Sequence, residues 1–125
     1  MAATVIETDC RASAAVRAKL WKNTETAVGG SETTILNKVG VAGFTRFSIQ
    51  LVNTDATDGV VKVYGSIRDP SVGSEGGTEW VQIGDDITVD SSALKAISTT
   101  PLRFLCVRAT GETAALTCHV YGEQG

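Results

Sequence analysis

The chain has few prolines (2), one histidine and an odd number of cysteines (3) in 125 residues. Each scarcity excludes something. So few prolines rule out a proline-rich linker. Cys10, Cys106 and Cys118 form no CxxC spacing, which argues against both a disulfide framework and a zinc site. No run approaches the roughly 20 apolar residues of a membrane-spanning helix. The net charge of −3 is mild, so neither nucleic acid nor a membrane is expected as a partner. The opening stretch, Met1 to Glu7, lacks a basic start and a continuous apolar run, so synthesis in a cytoplasm is expected.

What is present favours strands. Val, Ile and Thr are frequent and the 13 glycines punctuate short alternating runs. Thr33–Asn37 reads as one strand and Phe44–Asn53 as the clearest, with Phe47, Ile49 and Leu51 alternating against Arg46, Ser48 and Gln50. Val60–Ile67 follows, with Val61, Val63 and Ile67 on one face and Gly65 marking a bulge or a bulky neighbour. Asp69–Thr78 is the longest loop. Glu79–Ile83, Ile87–Val89 and Leu94–Ile97 are short runs. The fold class expected is all-β: one antiparallel β-sandwich, jelly-roll-like or Ig-like, of about seven strands. Residues 31–125 form the sandwich domain. Residues 1–30, with a weak helical stripe of Val16, Leu20 and Trp21, are an N-terminal arm or an extra strand. On the arm reading, removing residues 1–22 would leave the sandwich folded.

The last third fixes a register of its own. Two alternating runs, 103–109 and 115–121, flank the segment 110–114 and predict a β-hairpin centred on Glu112. Phe104 then faces Val120, Cys106 faces Cys118, and Arg108 faces Leu116. The core expected comprises Phe47, Ile49, Leu51, Val61, Val63, Phe104, Cys106, Leu116, Cys118 and Val120. Cys106 and Cys118 are read as reduced, small core hydrophobes. A mixed outer face carries Leu105, Val107, His119 and Tyr121.

No catalytic constellation emerges. His119 is mid-strand and its neighbour Cys118 points to the opposite face, so no Cys–His pair forms. Asp85 and Asp86 are adjacent, and adjacent strand residues point apart. Asp55 to Gly59 is a weak calcium-loop approximation and reads as a turn. The glycines near 73–77 have no following Lys or helix and make no phosphate cradle. No catalytic residue, metal or cofactor is expected. The residues expected at an interface are Val16, Leu20 and Trp21 with Leu105, Val107, His119 and Tyr121, large aromatics being strong anchors.

The run Phe44–Asn53, the strand end Val63-Tyr64-Gly65-Ser66, then Thr78–Gly84, Leu102–Arg108 and Val120-Tyr121-Gly122 resemble the small β-sandwich structural proteins of tailed bacteriophages. These include capsid decoration (cement) proteins and head accessory proteins. The resemblance covers about residues 31–125 and rests on strand patterns. It implies a non-enzymatic virion component on the capsid surface, a homo-oligomer (a trimer) bound to the major capsid protein. A neck or tail accessory protein and a carbohydrate-binding module, with Trp80 exposed, are the alternatives.

Overall fold

The computed structural model describes residues 5–11, 17–55, 57–68, 80–97, 102–111 and 114–124. These hold ten strands and no helix: β1 (Val5–Arg11), β2 (Arg17–Asn23), β3 (Thr26–Val28), β4 (Thr33–Gly40), β5 (Arg46–Asn53), β6 (Gly59–Ser66), β7 (Val81–Val89), β8 (Ser92–Ile97), β9 (Phe104–Thr110) and β10 (Ala114–Glu123). They form two antiparallel sheets. One runs β1-β2-β10-β5-β8, with β3 also pairing β10; the other runs β4-β9-β6-β7. From β4 onward, β6–β7 is the one sequential connection that stays within a sheet. The others cross between layers. Setting β1 and β3 aside, two four-stranded sheets in this order make a jelly roll, so the jelly-roll form of the expected sandwich is the one adopted.

The expected C-terminal hairpin does not exist. β9 pairs with β4 and β6 in one sheet, while β10 pairs with β2, β3 and β5 in the other. Cys106 lies opposite Tyr64, and Cys118 lies opposite Leu51. The turn position Glu112 lies outside the described residues. Both strands alternate because both line one core from opposite layers, and alternation reports a strand's face and not its partner. The face assignment of β9 changes in consequence. Leu105, Val107 and Ala109 point into the core, while Cys106 and Arg108 lie on the other face. Phe104 is half-buried at the strand's start.

The core is filled from both layers by Phe47, Ile49, Leu51, Leu116, Cys118 and Val120 against Ile35, Leu36, Val61, Val63, Leu105 and Val107. Burial of a side chain of this kind stabilises by about 1.5–3 kcal/mol each before entropy is counted. Ile67, expected on the inner face, falls just past the end of β6 and is exposed. Gly65 has bulky neighbours: a Cβ there would come within 2.6 Å of Ile83 Cδ1 and 2.7 Å of a Leu102 methyl.

Residues 1–30 do not form a separate arm over their described part. β1 and β2 pair along their whole lengths, and β2 and β3 pair with β10. Arg17–Asn23 is strand, in place of the helical stripe that Leu20 and Trp21 suggest. Trp21 is wholly buried, packing edge-on to Phe44 (ring centroids 5.3 Å apart, 83° between planes), and its Nε1–H donates to Glu7 Oε1 at 2.8 Å. Where β2 stops and β3 begins, β10 loses continuous backbone pairing. Asn23 fills the gap with its side chain: Oδ1 accepts from the Cys118 N–H at 2.7 Å and Nδ2 donates to the Leu116 carbonyl at 3.2 Å. Asn53 performs a similar task on the other flank, accepting from the Ala115 N–H and donating to the Thr57 and Val89 carbonyls. These two buried amides are therefore satisfied, as buried polar groups must be.

Candidate interaction surfaces

The outward face of the larger sheet follows from its registers. Inward positions of β10 are Leu116, Cys118, Val120 and Gly122, so Thr117, His119 and Tyr121 look out. His119 lies between Lys22 and Gln50, and Tyr121 between Leu20 and Ser48. One row therefore reads Ile6, Lys22, His119, Gln50, Leu94 across five strands. The next reads Thr8, Leu20, Tyr121, Ser48, Ala96. Ile6 and Leu94, at the two ends of the first row, are 42% and 70% exposed.

This settles where the expected interface residues lie. Leu20, His119 and Tyr121 share this face, and Leu20 is the direct cross-strand neighbour of Tyr121. Trp21, Leu105 and Val107 do not belong to any surface: all three are fully buried in the domain's own core. Val16 lies outside the described residues. For Leu105 and Val107 the cause is the absent hairpin, which reverses the face assignment of β9. For Trp21 it is the pairing of β2 with β10, which turns Trp21 inward opposite Val120.

His119 is half-buried, and its Nδ1 has no hydrogen-bond partner among the described residues. Burial, and then the Lys22 ammonium across the strand, lower its pKa below the usual histidine value. Burial, aided by the hydrogen bond its hydroxyl donates to Glu123 Oε2 at 3.2 Å, raises Tyr121. Cys118 is pushed far up by burial alone, so its thiol is unreactive in the folded protein. Cys10 is half-buried, and Cys106 and Cys118 are buried.

The outward face of the smaller sheet holds a group the sequence did not reveal. Arg108 lies almost covered over Tyr64, its guanidinium carbon 5.0 Å from the ring centroid, and pairs with Glu32 at 3.4 Å. The Tyr64 hydroxyl donates to the same carboxylate at 3.1 Å. The hairpin register sets Arg108 opposite Leu116 on the core face; with β9 paired to β6 instead, Arg108 lies opposite Lys62 on the outward face. The sole sequence sign was a charge in an otherwise apolar set. The cluster ties three strand regions together and offers no nucleophile.

A cleft of about 450 Å³ opens between the layers at the β7–β8 side, floored by Val63, Ile83 and Ile87 and lipped by Asp85, Asp86 and Lys95. Here β7 advances four residues, Ile83 to Ile87, while β6 advances two, Val63 to Val61, so Gly84, Asp85 and Asp86 bulge outward. Gly84 takes φ +70°, a conformation that favours glycine. Asp86 is tied to Lys62 (3.7 Å) and to Gln82 (2.7 Å). Trp80 is buried, so it does not present the exposed stacking platform that a carbohydrate-binding module would need. No group of three or more potential metal-ligating side chains occurs among the described residues.

No protein-family model and no curated protein matches this chain. Among solved structures, it is similar to the crystal structure of PirA: TM-score 0.53 at 14% identity, over 79% of this chain and 91% of that one. It is also similar to the subunit in a structure of Bacillus endospore appendages, described as a family of disulfide-linked pili: TM-score 0.52 at 16% identity, over 98% of this chain and 88% of that one. At these identities the likeness is one of fold, and it agrees with the all-β sandwich described above.

Proposed function

We propose that this chain is a non-enzymatic structural subunit that works by adhesion, adding protein–protein contact to a larger assembly. The observation that carries this reading is the outward face of the β1-β2-β10-β5-β8 sheet. It is five strands wide and joins Ile6, Leu20, Tyr121 and Leu94 to few charges. An amphipathic tyrosine beside a leucine makes an anchor of the kind that dominates interface energies. In its finer form the subunit is a decoration protein that binds the major capsid protein of a tailed phage as a homo-oligomer on the capsid surface. Many copies on one lattice then multiply weak contacts.

A second reading is favoured by the likeness that spans nearly the whole chain: a subunit of a pilus-like appendage. Negative-stain microscopy of the purified full-length chain, alone and with capsids lacking it, separates the two. A coat on capsids with no fibres supports decoration. Fibres without added capsids support the appendage. A chain that stays dispersed and leaves capsids bare contradicts both.

A further inference from the structure

Strand edges attract other strands unless something blocks them, and most edges here are blocked. β3 is three residues long. β4 breaks register twice against β9, between Thr34 and Leu36 and between Leu36 and Val39. β7 carries the Gly84–Asp86 bulge. β1 presents carboxylates at alternate positions, Glu7 and Asp9, which would face their own kind in a copy. β8 differs. It pairs with β5 at six successive positions without a break, the side chains on its outward face, Ser92, Leu94 and Ala96, are uncharged, and its core-side face carries one charge, Lys95, where that of β1 carries both Glu7 and Asp9. Leu94, at the middle of that row, is 70% exposed.

The backbone of β8 is directed the right way. The Asn53 N–H donates to the Ser91 carbonyl at 2.9 Å, which marks Asn53–Ser91 as a hydrogen-bonded pair. Antiparallel pairs alternate, so Ala93, Lys95 and Ile97 turn their backbone groups toward β5. Ser92, Leu94 and Ala96 turn theirs to the open side.

We propose that β8 pairs antiparallel with β8 of a second copy about a twofold axis through Leu94, joining the two larger sheets into one. Three hydrogen-bonded pairs result: Ser92 with Ala96, Leu94 with Leu94, and Ala96 with Ser92. Those are the residues whose N–H and C=O groups face no partner strand among the described residues, and a twofold contact is self-complementary by construction. Shifting the register by two one way sets Lys95 against Lys95, which like charge disfavours, and shifting it the other way loses a hydrogen-bonded pair. In the central register Lys95 faces Ala93 of the partner, and the two Leu94 side chains cover each other. The unit is a dimer, in place of the trimer that the phage resemblance implies. The contact shares Leu94 with the outward face proposed above as adhesive, but its hydrogen bonds come from the strand edge, and it does not require that role.

The test is cysteine cross-linking in the full-length chain carrying Cys10→Ser, so that no partly exposed native thiol competes. The Leu94→Cys variant is expected to form a disulfide-linked dimer under mild oxidant, since partner Cα atoms in such a pair lie about 5.5 Å apart. Ser92→Cys, whose copies sit four residues apart along the strands, is expected to give none. Sedimentation equilibrium of the parent chain is expected to show a monomer–dimer equilibrium, and Leu94→Lys to shift it to monomer while melting as the parent does at dilutions where the parent is monomeric. Equal cross-linking by Leu94→Cys and Ser92→Cys, a strictly monomeric parent, or larger assemblies with no Leu94→Cys cross-link would each overturn the proposal. Capsid binding without a cross-link overturns the dimer alone, and a cross-link without capsid binding leaves it standing.

Discussion

Trp21 rests on Gly122. A Cβ placed on that glycine would come within 2.9 Å of Trp21 Cζ3 and 3.1 Å of the Phe47 ring. The contact joins a residue near the start of the chain to one near its end, and makes the first strands part of the core. Gly122→Ala is expected to force the indole or the Phe47 ring aside and to cost about 1–3 kcal/mol, as overpacking does. Chemical denaturation followed by tryptophan fluorescence reads this.

Trp21→Ala removes a fully buried indole and leaves a cavity. Its expected cost is about 3–5 kcal/mol, a large share of the stability of a domain this size. Deleting residues 1–22 removes β1, all of β2 but Asn23, and this side chain together. The truncated chain is expected to lose cooperative thermal unfolding, measurable by circular dichroism, whereas a detachable arm would leave it intact.

Asn23 supplies the hydrogen bonds that β10 lacks at the β2–β3 break. Asn23→Leu strands the Cys118 N–H and the Leu116 carbonyl in the core. The expected loss is about 1–3 kcal/mol, with faster amide exchange at Cys118 than at Val120 as the local signature.

His119 titrates below its ordinary value because of burial and Lys22. Across the interval between its lowered folded pKa and its unfolded value near 6.5, the unfolded chain binds more protons than the folded one. Stability therefore rises with pH through that interval, and the contribution is lost as pH falls back through it. On the same elements, Lys22, Gln50 and Tyr121 surround the ring. His119→Gln is expected to flatten this slope in melting curves taken between pH 5 and pH 8, and an unchanged slope would assign it to other groups.

The three thiols differ in access. A maleimide reagent is expected to label Cys10 in the native protein, and Cys106 and Cys118 only after unfolding. Intact-mass spectrometry before and after denaturant counts the labels.

Much of the fold was legible because a strand's face is written locally. Phe47, Ile49 and Leu51 announce an inward row, as do Leu116, Cys118 and Val120, and all six are buried. Partnership is not written locally. β9 and β10 are adjacent in sequence and each is amphipathic, yet they face each other across the core instead of pairing. The Leu105–Val107–Ala109 row, more apolar than Phe104–Cys106–Arg108, was the available sign. β2 was illegible for another reason: its inward residues include Asn23, whose polarity hides a core strand whose need is a side-chain hydrogen bond. Of the surface, Leu20, His119 and Tyr121 were recognisable as residues, but only the β2–β10 register brings Leu20 beside Tyr121.

The central claim, that the outward face of the larger sheet serves adhesion, is tested most directly by cosedimentation of the full-length chain with capsids that lack it. The chain is expected to pellet with the capsids, and the Leu20→Glu/Tyr121→Glu double variant to stay in the supernatant with its melting transition preserved. Parent and variant pelleting equally, or the parent remaining wholly in the supernatant, would contradict it.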